Sequence, residues 1–125
     1  MFESQKPFRV IVAGGRDFCD YTYLEISLDH LLQNVKAPII IVCGAARGAD
    51  TLGEKYAKAR GYPVHRFPAE WDKFGRSAGY IRNEQMAQNA DALVAFWDGE
   101  SRGTKHMIDL AYKYHLQIRI KRYKK

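Results

Sequence analysis

Four arginines stand among glycines in this chain of 125 residues. Arg16 lies in Gly14-Gly15-Arg16-Asp17-Phe18 and Arg47 in Gly44-Ala45-Ala46-Arg47-Gly48-Ala49-Asp50. Arg82 lies in Gly79-Tyr80-Ile81-Arg82-Asn83-Glu84-Gln85-Met86, and Arg102 in Gly99-Glu100-Ser101-Arg102-Gly103-Thr104. A guanidinium grips phosphate or carboxylate with two parallel hydrogen bonds. Glycine pairs let the backbone turn sharply and approach a ligand. A helix N-terminus adds free N–H groups and a positive dipole end. The chemistry these residues imply is the capture of a phosphate-bearing ligand. Arg16, Arg47, Arg82 and Arg102 would neutralise phosphate; Asn83, Ser101 and Thr104 would donate hydrogen bonds; Gly14, Gly15, Gly44, Gly48, Gly99 and Gly103 would give backbone access. Trp71 and Phe74 would stack on a base or cover the pocket. Asp17, Asp50 and Asp98 are the candidate acids. Each loop also has a plainer explanation: a tight turn with Asp17 paired to Arg16, a dipole-placed Asp50, an N-cap by Ser101 or Thr104, and capping or ion pairs of Arg82 and Asn83 with Glu84 or Asp72.

The elements that would hold these loops alternate along the chain. Apolar runs at 8–13, 38–43, 92–96 and 117–120, with a weaker one at 62–67, read as strands. Between them Leu24, Leu28, Leu31, Leu32 and Val35 recur at helical spacing, as do Ala49, Leu52, Gly53, Tyr56 and Ala57, a helix closed by Gly61. A loop over 68–75 precedes a helix over 77–88 with Ile81, Gln85 and Met86 inward. A last helix would bury Thr104, Met107, Ile108, Ala111, Tyr112 and His115. Strands alternating with helices predict one α/β domain over 1–125, a Rossmann-like doubly wound sheet of about five parallel strands with helices on both faces. In such sheets ligands bind at the C-terminal strand ends, near the switch in strand order. That rule projects the loops 14–20, 44–50, 68–76 and 97–103 to one edge.

Composition bounds the function from another side. The net charge is +6 and the pI near 9.4. Five of the last seven residues are basic (Arg119, Lys121, Arg122, Lys124 and Lys125), so a basic tail over 119–125 carries most of the excess and the body is nearly neutral. Apolar residues at 46% and charged residues at 27% are ordinary globular values. No apolar run is long enough to span a membrane, and the first residues lack the apolar stretch of a secretory signal. Cys19 and Cys43, without CxxC spacing, point to a reduced, cytoplasmic protein. The scattered histidines give no metal site, and no cofactor is expected. A GxGxxG fingerprint, a GK[ST] phosphate loop and a GxSxG elbow are all absent, which argues against an NAD dehydrogenase, a P-loop NTPase and an α/β-hydrolase.

Taken together, the Gly14–Phe18 and Gly44–Asp50 loops, the Arg66-Phe67-Pro68-Ala69-Glu70-Trp71 stretch, the Gly79–Met86 segment and Gly103-Thr104 resemble the short stand-alone YspA-like branch of the SLOG superfamily, found in bacteria and phages. The resemblance covers about residues 8–120. It implies a Rossmann-like fold that binds nucleotides or nucleotide-derived ligands in sensing, signalling or conflict systems, and relatives that form homo-oligomers. The "lonely guy" phosphoribohydrolases of the same superfamily cleave the N-glycosidic bond of nucleoside monophosphates. Arg82 and Met86 resemble their Arg-Lys…Met helix start, with Asn83 in place of the Lys. Gly103-Thr104 resembles the end of their glycine-rich loop, but Met107 stands where they carry a catalytic Glu. Cleaving that bond needs a carboxylate.

The leading expectation is a module that binds a nucleotide-derived small molecule such as AMP or ADP-ribose. The alternatives are a nucleotide N-glycosidase using Asp17, Asp50 or Asp98, and a nucleic-acid binder using the basic tail.

Overall fold

The structure is a computed structural model that describes residues 6–44 and 46–124. Ala45 of the second glycine loop and Lys125 of the basic terminus lie outside the described residues. Five strands, β1 (Phe8–Gly14), β2 (Ile39–Cys43), β3 (Val64–Arg66), β4 (Ala92–Trp97) and β5 (Gln117–Arg122), form one parallel sheet in the order β3-β2-β1-β4-β5. The chain steps outward from β1 to β2 and β3, then returns to place β4 on the other side of β1. The switch in strand order therefore falls between β1 and β4, and the crevice of a doubly wound sheet opens there.

Helices cover both faces. On one, α1 (Tyr21–Leu32) and α2 (Ala49–Arg60) bury Leu24, Leu28, Tyr56 and Ala57 against Val10, Val12, Ile41 and Val94. On the other, α4 (Ala78–Gln88) and α5 (Arg102–Lys113) bury Met86, Met107, Ile108 and Ala111 against Ile11, Ala13, Val42 and Leu93. β2 is apolar throughout because each successive residue enters a different core. α1 starts where the Asp20 carboxylate accepts the Tyr23 N–H at 3.0 Å. α2 stops at Gly61, whose φ of 73° lets its N–H turn back to the carbonyls of Ala57 and Lys58.

Three details depart from the sequence reading. The loop after β3 holds a short helix, α3 (Trp71–Phe74), and a 3-10 turn (Gly75–Ser77). Gln85, Tyr112 and His115 face solvent rather than the core. Asn83 and Ala87 fill the inward stripe of α4, Leu110 joins that of α5, and His115 lies beyond α5 at a φ of 60° where the chain reverses toward β5. The fifth strand runs past the expected 117–120 and takes in more of the basic terminus. Arg119, Lys121 and Arg122 belong to β5, paired with Val94, Phe96 and Trp97. The next residue is anchored as well: the Tyr123 N–H donates to the Trp97 carbonyl at 3.2 Å. Ladder bonds to β4 hold this segment, and its charges line a sheet edge.

Candidate functional site

At the β1/β4 switch lies a cleft of about 470 Å³. Its floor is the Gly14-Gly15 turn, where a Cβ on Gly14 would come within 2.4 Å of the Phe96 carbonyl oxygen. The loop after β2 is held against this turn. Gly48, at φ 76°, places its Cα where any Cβ would meet the Gly15 carbonyl oxygen at 2.2 Å, and the Ala49 N–H donates to that same carbonyl at 3.3 Å. Only glycine satisfies both the left-handed backbone and the contact. Gly48 thus shapes the site from behind.

Arg82 enters from the first turns of α4. Its Nη1 donates to the Gly44 carbonyl at 2.5 Å and its Nε to Asn83 Oδ1 at 3.1 Å. Burial holds its pKa below the usual arginine value; the Asp50 charge opposes that shift and Arg16 adds to it. Arg16, exposed at the end of the Gly14-Gly15 turn, therefore brings a like charge to the same crevice. Among the described residues neither Arg16 nor Arg82 has an ion-pair partner within 4.0 Å.

Asp50 sits behind Arg82 in the first turn of α2, 7% exposed. Its Oδ2 accepts the Ala46 N–H at 3.1 Å. Burial pushes its carboxyl up to about 6, against the pull of that hydrogen bond and of the Arg82 charge. Asn83 is fully engaged. Its Oδ1 takes the Arg82 Nε–H, while its Nδ2 points to the Gly103 carbonyl at 3.4 Å and His106 Nδ1 at 3.1 Å. Burial lowers the His106 pKa, which keeps the ring neutral and able to accept. Asn83 thus positions Arg82 and ties α4 to α5.

The α5 N-terminus closes the far wall. Ser101 is its N-cap: Oγ accepts the Thr104 N–H at 3.4 Å and meets Thr104 Oγ1 at 3.1 Å. Asp98 Oδ1 accepts the N–H groups of Glu100 and Ser101, both at 2.8 Å. Ser101, Gly103, Thr104 and Met107 line the cleft. Where the phosphoribohydrolases carry a carboxylate, a buried thioether faces it.

The cleft thus gathers Gly14, Gly15, Arg16, Asp17, Asp50, Arg82, Asn83, Asp98, Ser101, Gly103 and Thr104. Gly44, Arg47 and Trp71 line an adjoining hollow with Arg16 and Arg82. Gly99 and Arg102 are not brought to either. They line a separate depression with Tyr80 and His106, at the turn where Gly99 adopts a φ of 89°. All three candidate acids line the cleft, and among the described residues no group of three or more His, Cys, Asp or Glu could hold a metal.

One residue at the rim was missed in the sequence. The Tyr123 hydroxyl donates to Asp17 Oδ1 at 2.7 Å, and its ring packs edge-on to Phe18 with centroids 4.8 Å apart. Arg122 lies 5.3 Å over the Trp97 ring, and its carbonyl accepts the Tyr23 hydroxyl at 3.1 Å. No local spacing announces a contact between residues 17 and 123; only the β4–β5 pairing creates it.

Residues 8–74 match the family described as YAcAr: YspA, cpYpsA-related SLOG family. The chain belongs to this SLOG family. It is 34% identical over 118 residues to the Gene 61 protein of Mycobacterium phage D29, covering 88% of this chain and 93% of that one. In three dimensions the YspA-related chain is similar to DNA processing protein A (DprA) from Streptococcus pneumoniae, with a TM-score of 0.70 at 16% identity. The match covers 91% of this chain and 50% of DprA, so the SLOG chain here spans about half of that structure. That likeness bears on the fold alone, which is DprA's parallel α/β sheet. A tRNA methyltransferase subunit from Methanocaldococcus jannaschii aligns at a TM-score of 0.45 and 15% identity, covering 91% of this chain and 66% of that one. No helix among the described residues is long and apolar enough to cross a membrane.

Proposed function

We propose that this SLOG chain binds a nucleotide or nucleotide-derived small molecule in the β1/β4 cleft. One observation carries the reading: the guanidinium groups of Arg16 and Arg82 converge on the crevice without an ion-pair partner among the described residues. Two like charges held close repel each other, and a bound phosphate relieves both. The α5 N-terminus adds Ser101, Thr104 and helix N–H groups on the same side. Asn83 serves as a positioning residue for Arg82, and Gly48 as a spacer.

The test is calorimetric titration with nucleoside monophosphates and nucleoside diphosphate sugars carrying adenine, guanine or uracil. Arg16 is exposed, so Arg16→Ala leaves the melting temperature of the free protein unchanged. It weakens the bound nucleotide by about tenfold or more, the worth of one charge-assisted hydrogen bond. Unchanged affinity in Arg16→Ala removes the proposed site.

A second reading, N-glycosidic hydrolysis, is favoured by Asp50, a buried carboxyl with its pKa near 6 on the cleft wall. Chromatography for released base separates the two. Base release that disappears in Asp50→Asn supports hydrolysis; an intact ligand after long incubation supports binding alone. The name of DprA also raises nucleic acid as a partner of this chain, with Arg119 and Lys124 exposed at or just beyond the β5 edge. Truncating the terminus would break the Tyr123 anchor, so charge reversal at Arg119 and Lys124 is the cleaner probe. Retention on single-stranded DNA that falls with those reversals supports that role.

A further inference from the structure

The cleft continues past Arg82. A second hollow of about 280 Å³ opens on the β2–β3 side, walled by Gly44, Arg47, Pro68 and Trp71. Arg16, Ala46 and Arg82 line both spaces, so the seam between them is a pair of guanidinium groups. Arg82 is pinned there by Gly44 and Asn83.

Beyond the seam stands the Trp71 indole, 54% exposed in a short helix that buries none of its residues. Its ring tip Cη2 and Arg82 Nη2 lie 3.7 Å and 3.9 Å from the point where a Cβ on Gly79 would stand. The indole and the guanidinium thus both approach the same spot at Gly79 on α4. Along the crevice the order is a glycine floor with a helix N-terminus, then two cations, then an aromatic face. On the far side of the larger cleft come Asp17 and Asp98, and the neighbouring depression that Asp98 shares adds Glu100, Arg122 and Lys124.

We infer that the ligand is two-headed: two nucleoside-like halves joined by a pyrophosphate, with the bridge at Arg16 and Arg82, one half in the larger cleft and the second base against Trp71. This rests on the nucleotide reading above and names its ligand class. A mononucleotide fills the larger cleft and leaves Trp71 and Arg47 without a role. A pyrophosphate diester matches the two guanidinium groups at the seam, and a planar base covers the exposed indole.

The experiment is titration of the full chain with nucleoside monophosphates and with the matching 5′–5′ pyrophosphate-linked dinucleotides, carrying adenine, guanine or uracil. The dinucleotide binds about tenfold or more tightly than its monophosphate, the value of one base–aromatic stack. Trp71→Ala erases that advantage and leaves the monophosphate affinity unchanged, while Trp71→Phe keeps most of it. The exposure of Trp71 means that both variants fold, which an unshifted melting temperature verifies. Monophosphate binding with no gain for the dinucleotide overturns the two-headed ligand and leaves the nucleotide reading intact. Equal losses for both ligands in Trp71→Ala overturn it too. A short single-stranded oligonucleotide that outbinds the dinucleotide overturns it in favour of a strand. Absence of binding by every nucleotide overturns the parent reading, and the two-headed ligand with it.

Discussion

Asp50 makes the protein's stability depend on pH in a direction opposite to its other shifted carboxylates. In the folded chain its pKa rises from 3.8 to about 6 because burial disfavours the charged form. The folded state therefore holds this proton more tightly than the unfolded state does. The stabilisation is fully present below pH 3.8 and is lost as pH rises through 6. The span of about two pKa units corresponds to about 3 kcal/mol. Asp29, Glu54 and Glu84 have lowered pKa values, so their contributions fade toward acid instead. Comparing wild type with Asp50→Asn cancels their shared effect. An amide oxygen still accepts the Ala46 N–H, but the variant carries no titratable group at 50. Urea unfolding across about pH 4 to pH 8 should show the variant gaining about 3 kcal/mol on wild type over that range, with most of the change below and around pH 6. The attraction of Asp50 to Arg82 is already contained in the pKa of about 6 and acts only where Asp50 is ionised, so it adds no separate offset at the acid end. A flat difference curve would place Asp50 in contact with solvent, one rising toward acid would mean that its charged form is the one the fold favours, and either would refute the reasoning.

Two further outcomes follow from the same geometry. Gly48→Ala sets a methyl 2.2 Å from the Gly15 carbonyl oxygen at a left-handed φ, and should cost about 2 kcal/mol or more in denaturant unfolding; Gly61→Ala, with open space around its Cβ, should cost less. Tyr123→Phe keeps the ring on Phe18 but removes the 2.7 Å bond to Asp17, lowering stability by about 1 kcal/mol and the melting temperature by about 3–6 °C, whereas Tyr112→Phe, at an exposed side chain, should leave it unmoved.

The sheet was legible because its signals are local. The unbroken apolar run at β2 and the Leu24–Leu28–Leu32 stripe each state their own burial, and right-handed crossovers leave few ways to assemble such units. Where a local rule was ambiguous, packing decided. Helical spacing put Gln85 inward with Ile81 and Met86, and hydrophobicity could not say which side-chain amide of that helix is buried. Asn83 won because Arg82, the Gly103 carbonyl and His106 together satisfy it in the core.

The candidate site was legible to the extent that strand-end loops announce themselves by composition. The rule that ligands lie beyond the C-terminal strand ends put Arg16, Asp50 and Arg82 at one edge before any coordinates. It could not sort residues within a loop. Gly99 and Arg102 share the α5 entry with Ser101 and Gly103, yet they line a separate depression. Nor could it see Tyr123, which reaches Asp17 only because β5 runs parallel beside β4 and returns the chain end to the edge where β1 also ends. The positive charge of the terminus suggested a free polyanion-binding tail. Its placement adds a structural link, since Arg119 and Arg122 lie in β5 and Tyr123, directly after that strand, bonds Asp17 at the rim of the cleft. Substitutions in the terminus therefore act on the site through Asp17, and a loss of binding on truncation would report that mechanical link as readily as a lost phosphate contact.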